Sequence, residues 1–250
     1  MSILVLDDVK VHYGGVKAVD GVSFAVEPGQ LCGVMGPNGA GKTTIINAIT
    51  GTTRLSSGSI AFRDKPLTSV KPYEMRRMGL MRTFQGIRLV PELSVRDNVR
   101  VAAEQRGSRR GWGARATEKL PVDQVVDKTL ERLGLDVVRD QKPTALPYGT
   151  QRRVEIARAL STQPDLILLD EPVAGMNQTE RAEIAAILRE LRADGLAMLV
   201  IEHDLKMLLD LSDHLVVLNF GKLLAKGEPH ATARLPEVQR AYLGDGHGNA

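Results

Sequence analysis

Residues 36–43, Gly-Pro-Asn-Gly-Ala-Gly-Lys-Thr, restrict what this chain can fold into more than any other stretch. Gly36, Gly39 and Gly41 let the backbone through Pro37, Asn38 and Ala40 curl so that its successive N–H groups, which begin after Pro37, face one point. The run before them, Leu31 to Met35, is apolar and fits a buried strand; the run after Lys42 reads as a helix ending near Ile49, where Thr50 and Gly51 stop it. Strand, glycine loop and helix in that order form a phosphate cradle, because unsatisfied amides and the positive helix end both favour an anion. Lys42 is then placed to reach outer phosphates, the Thr43 hydroxyl to serve Mg²⁺, and Thr44 to bond a nearer phosphate.

The rest of the chain supplies the sheet that such a loop needs. Strands are expected over 2–12, 18–26, 30–35 and 58–62, separated by the turn signals Tyr-Gly-Gly and Glu-Pro-Gly-Gln. From Pro91 to Leu160 the pattern is helical, interrupted by a basic insertion containing Arg106, Arg109, Arg110, Trp112 and Arg115. A short buried strand at 165–171, an amphipathic helix from Gln178, a strand at Leu196–His203 and a strand pair joined at Phe220-Gly221 follow. Strands alternating with helices argue for an α/β fold with a mostly parallel sheet. A chain of 250 residues suits one domain with a main and a subsidiary lobe.

Composition excludes several classes. The only cysteine, Cys32, permits no internal disulfide, and a reducing compartment is expected. The N-terminal residues alternate like a strand instead of resembling a secretory leader, and no apolar run approaches the ~20 residues that cross a bilayer, so any membrane role is peripheral. A net charge of +3 does not by itself imply nucleic acid.

A second cluster of candidates completes the chemistry. Leu-Ile-Leu-Leu carries Asp170 and Glu171 to the C-terminal end of a buried strand, where ligands bind in α/β sheets. Asp170 is suited to the metal's ligand shell and Glu171 to orienting and deprotonating a water. Gln85 and His203 each follow an apolar strand pattern, so both are expected at that same rim, Gln85 at the metal or water and His203 at the γ-phosphate. Residues 145–160 pose a different question: a Pro-Tyr-Gly loop opens a helix, giving a second anion-binding N-terminus around an exposed Gly149. One nucleotide does not need two cradles from one chain. Two chains packed head to tail, sharing two nucleotides, would use both.

In this order the motifs resemble the ATP-binding cassette family over nearly the whole chain. The resemblance identifies Gly36–Thr43 with the first phosphate motif, Gln85 with the Q-loop, and Leu146, Pro147, Tyr148, Gly149, Thr150 and Gln151 with the signature region. Asp170 and Glu171 stand for the second nucleotide motif, His203 for the switch histidine, and Tyr13 for the aromatic that stacks on adenine. It implies a P-loop ATPase fold with a core plus antiparallel β subdomain at 1–90 and 161–250 and a helical subdomain at about 91–160. It also implies ATP and Mg²⁺, a second ATPase subunit in a heterodimer or homodimer, transmembrane permease subunits, indirectly a substrate-binding protein, no nucleic acid, and a peripheral place on the cytoplasmic face of the cell membrane. "RTFQGIRLVPELSVRDNV", "AGMN", "IEHDL" and "RAYLG" are most similar to the ATPases of bacterial branched-chain amino-acid importers. Lipopolysaccharide-export ATPases share the helix and tail, and soluble cassette ATPases of ribosomes or DNA and small-molecule kinases share the phosphate loop. The usual signature Leu-Ser-Gly-Gly-Gln is altered at Pro147 and Thr150, and Asn177 replaces the usual aspartate after the base.

Overall fold

The computed structural model describes residues 1–67, 70–83, 86–105 and 120–243. The chain divides into two compact units, one formed by Met1–Pro72 with the chain from Ala197 onward, the other by Tyr73–Leu196. In chain order the first unit begins with β1 (Leu4–Tyr13), β2 (Val16–Val26), β3 (Leu31–Met35), α1 (Lys42–Ile49), β4 (Ser57–Phe62) and β5 (Lys65–Pro66). The second holds α2 (Pro72–Met78), β6 (Leu80–Arg82), α3 (Val95–Glu104), α4 (Val122–Arg132), α5 (Tyr148–Ser161), β7 (Leu166–Asp170) and α6 (Gln178–Ala193). The chain then returns to the first unit with β8 (Ala197–Ile201), α7 (Leu205–Leu211), β9 (His214–Asn219), β10 (Lys222–Gly227), α8 (Pro229–Ala233) and α9 (Pro236–Leu243).

Two sheets shape the first unit. β2-β1-β4-β5 is antiparallel, with Leu4 opposite Val26 on one side and Phe62 on the other. Its strands show the alternation expected of a sheet with one covered face, Leu4, Leu6, Val9 and Val11 being buried along β1. In the run β10-β9-β3-β8, β3 lies parallel to both β8 and β9, and all five of its residues are buried. A strand covered on both faces reads as a continuous apolar run, which is why Leu31–Met35 lacks alternation. Ile45, Ile46 and Ile49 of α1 are fully buried, and each contributes about 1.5–3 kcal/mol that anchors the helix behind the glycine loop. Phe220 and Gly221, both at positive φ (45° and 76°), make the two-residue turn between β9 and β10.

The second unit is mainly helical. α3 packs against α4 and α5, and β6 runs parallel to β7 with Arg82 opposite Leu168. Asn98 is 1% exposed; its amide donates to the carbonyls of Val90, Leu93 and Ser94 and accepts from the Val90 N–H, so one buried side chain fixes the turn before α3. Among the described residues the expected helical stretch holds three α-helices with short 3₁₀ turns at Asp136–Val138 and Pro143–Ala145. Gln85 and the basic insertion with Trp112 lie outside the described residues. No helix among the described residues is long and apolar enough to cross a membrane.

Candidate active site

In the first unit the glycine loop leaves β3 and enters α1 through Gly41, whose φ of 99° is left-handed. No side chain caps α1 and no acidic residue occupies its first turn, so its leading amides keep their capacity for an anion. Lys42 is 7% exposed, and its Nζ donates to the carbonyls of Gly36 at 2.7 Å and Pro37 at 3.0 Å. That ammonium therefore braces the loop from inside while standing within it. Ala40 is buried and its N–H closes a turn on Pro37 O; Asn38, Gly39 and Thr43 are exposed, and Thr44 is half-buried. Because Val34 pairs with Ile201 across β3 and β8, Gly36 and His203 leave neighbouring parallel strands at the same edge. His203 is exposed, and its main-chain N–H donates to the buried Glu202 carboxylate at 3.1 Å. Tyr13 ends β1 with 52% exposure, its hydroxyl 3.0 Å from Thr53 Oγ1.

In the second unit β7 is buried throughout and delivers Asp170, which is 3% exposed. Burial pushes the Asp170 carboxyl above its ordinary 3.8, against the pull of the Arg82 guanidinium, whose Nη2 donates to Oδ2 at 3.1 Å. Glu171 follows at a φ of 50°, a left-handed conformation rare for a residue with a side chain, and is half-buried.

The signature region forms the start of α5. Pro147 is the N-cap residue, no side chain caps the helix, and its first turn contains no acid. Leu146 is buried, Pro147 and Tyr148 are exposed, Gln151 donates to Leu146 O at 2.9 Å, and Thr150 Oγ1 accepts from Arg153. The expectation of an exposed Gly149 is corrected: Gly149 is buried, and a Cβ there would lie 2.7 Å from Glu180 Oε1. Its main chain opens α5, but its other face is covered by the start of α6.

Three residues not singled out in the sequence have roles here, and a fourth, Asn177, has a role beyond its departure from aspartate. Arg82 holds Asp170, Thr53 holds the Tyr13 hydroxyl, and Arg152 is fully buried in α5. Asn177 caps α6, accepting from the Glu180 N–H while Glu180 accepts from the Asn177 N–H, a complete capping box. The last was visible as Asn-Gln-Thr-Glu ahead of an amphipathic run. The departure from aspartate at 177 therefore keeps the cap.

A phosphate loop on an uncapped helix behind a parallel strand, with a buried acidic strand end in the same chain, defines a P-loop nucleoside triphosphatase. The ABC transporter family model matches residues 19–174. The chain belongs to that family, the ABC ATPases, which hydrolyse ATP to power transport. LivG, the high-affinity branched-chain amino acid transport ATP-binding protein of Escherichia coli (strain K12), is 38% identical over 250 residues, covering 97% of this chain and 98% of that one. BraF of Pseudomonas aeruginosa, described in the same words, is 36% identical over 251 residues with the same coverage. Among solved structures, MJ1267, an ATP-binding cassette of an ABC transporter, has a TM-score of 0.86 at 34% identity, over 98% of this chain and 100% of that chain. The ADP conformation of the same cassette gives 0.85 at 34% identity, over 98% and 99%.

Proposed function

We propose that this chain is the ATP-hydrolysing subunit of an importer for branched-chain amino acids, working as one of two paired ATPases on the cytoplasmic face of a transmembrane permease fed by a substrate-binding protein. The observation that supports the pairing is that two α-helices among the described residues, α1 behind the phosphate loop and α5 at the altered signature, begin with neither a side-chain cap nor an acid in the first turn. The cargo class is supported by likeness to LivG and BraF along 97% of the chain.

On this reading the α1 amides and Lys42 bind the phosphates of ATP, Thr44 adds a hydroxyl, and Tyr13 stacks on the adenine with Thr53 fixing its tilt. Glu171 orients and deprotonates the attacking water, and His203 donates a hydrogen bond to the γ-phosphate. Mg²⁺ fits the donor set: Asp170 offers a buried carboxylate, Thr43 an exposed hydroxyl and Gln85 an amide oxygen. Among the described residues no group of three or more His, Cys, Asp or Glu forms a cage, as suits an ion that prefers phosphate oxygens and water to an all-protein site. When bound, Mg²⁺ supplies charge neutralisation at the β and γ oxygens. Residues 146–151 face the γ-phosphate held by the partner, and the helical segment at 91–160 carries the resulting motion to the permease.

Pro147 has neither a hydroxyl nor an N–H to offer, so this chain gives its partner's nucleotide at least one hydrogen bond fewer than the usual serine would. The two sites of the pair are therefore unequal, the competent one using this chain's Lys42 and Glu171. The test is Glu171→Gln in the complex purified with its membrane subunits and reconstituted in vesicles. ATP-driven leucine uptake is expected in the parent and its loss in the variant. Uptake of an unrelated cargo alone, or turnover that survives the substitution almost undiminished, refutes the proposal.

A further inference from the structure

Arg152 is a charged side chain with 0% exposure, on the face of α5 that also buries Ile156, Ala159 and Leu160. Burying a guanidinium is tolerated only where its charge and its N–H groups find partners. One amino nitrogen pairs with Glu155, three residues further along α5, itself 6% exposed. The other leaves the helix altogether and donates to the main-chain carbonyl of Glu171 at 3.1 Å.

The acceptor's conformation gives that second bond its meaning. Glu171 sits at φ 50°, directly after the fully buried β7, in a region that residues other than glycine occupy only when their surroundings hold them there. The direction in which its carboxylate leaves the backbone depends on that torsion. A hydrogen bond to the carbonyl of the same residue fixes the peptide plane next to it. Arginine presents a rigid planar fork, one nitrogen to Glu155 and the other to the carbonyl, whereas lysine offers its donors from one point on a flexible stem.

We infer that Arg152 is a positioning residue for Glu171: by clamping its carbonyl, the guanidinium holds the left-handed backbone that aims the carboxylate. The inference rests on Glu171 acting as the base. It gives the signature helix a second task, because the rod that opens with residues 147–151 also sets the aim of this chain's own catalytic group.

The experiment is a double-mutant cycle of Arg152→Lys and Glu171→Gln in the assembled complex, read by steady-state ATP hydrolysis and by single-turnover phosphate release. Arg152→Lys keeps a charge beside Glu155 but loses the fixed two-nitrogen fork that ties Glu155 to the Glu171 carbonyl. It is expected to lower kcat on the order of tenfold to a hundredfold, the scale of a displaced reacting group, while KM for ATP stays within about twofold. Added to Glu171→Gln, it should change the residual rate by less than about twofold, since the group it positions is gone. Equal loss in both backgrounds, an unchanged kcat, or a loss carried by KM overturns the inference. Full activity of Glu171→Gln alone would instead sink the assignment of the base. If Arg152→Lys does not fold, the pair Arg152→Gln with Glu155→Gln removes both buried charges together and enters the same cycle.

Discussion

Two glycines of the phosphate loop share a backbone conformation but not a neighbourhood, and the difference sets two alanine variants apart. Gly39 (φ 80°) and Gly41 (φ 99°) both lie in the left-handed region, where alanine costs about 1–2 kcal/mol. A Cβ at Gly39 would meet nothing within 4 Å; at Gly41 it would fall 2.5 Å from the Ala18 carbonyl oxygen, a main-chain atom of β2 that cannot swing aside. Relieving that overlap adds a further ~1–3 kcal/mol. At roughly 2–4 °C per kcal/mol for a chain of this size, nucleotide-free Gly41→Ala should melt about 4–20 °C below the parent, and Gly39→Ala only about 2–8 °C below it. Because Gly41 is the N-cap of α1, the overlap also moves the amides meant for phosphate. Losing one charge-assisted bond of about 1.5–3 kcal/mol weakens a fluorescent ATP analogue tenfold or more. Differential scanning fluorimetry and a binding titration on the two variants suffice. Equal melting shifts would refute the reasoning, since they would mean that the β2 main chain yields freely.

Two further predictions concern the same unit. Burial pushes the Cys32 thiol up to about 12, so a disulfide reagent at neutral pH should leave the folded protein unlabelled and label it only as denaturant unfolds it; prompt labelling of the native protein contradicts the buried β3. Burial, then the Lys226 ammonium, holds His214 below its ordinary 6.5. Between 6.5 and that depressed value the unfolded chain binds a proton that the folded chain does not, so stability falls as pH falls through that window. Urea midpoints at pH 7.5 and 5.5 should converge in His214→Gln relative to the parent, and an unchanged spread removes His214 as the source.

What could be read from the sequence and what could not divide along a physical line. The glycine loop, the β3 run and the Asp-Glu strand end are local patterns, because each depends on periodicity or on turn chemistry within a few residues. Asp170 and Arg82 are neighbours only because β6 lies parallel to β7, and no period in either segment announces a contact across that distance in sequence. Gly149 looks exposed in a Pro-Tyr-Gly loop until the start of α6 covers it. Arg152 and Arg153 stand side by side in the sequence, yet Arg152 shares the inner face with Ile156, and Glu155 three residues later is the partner that answers its charge inside. Arg82 and Arg152 both bond to the acidic strand end. A chain optimised only for stability would fill 82 and 152 with apolar side chains, since buried ion pairs seldom stabilise more than hydrophobic replacements do. That both arginines instead spend their hydrogen bonds on Asp170 and on the strained backbone of Glu171 is the pattern expected where local rules yield to the geometry of a reaction.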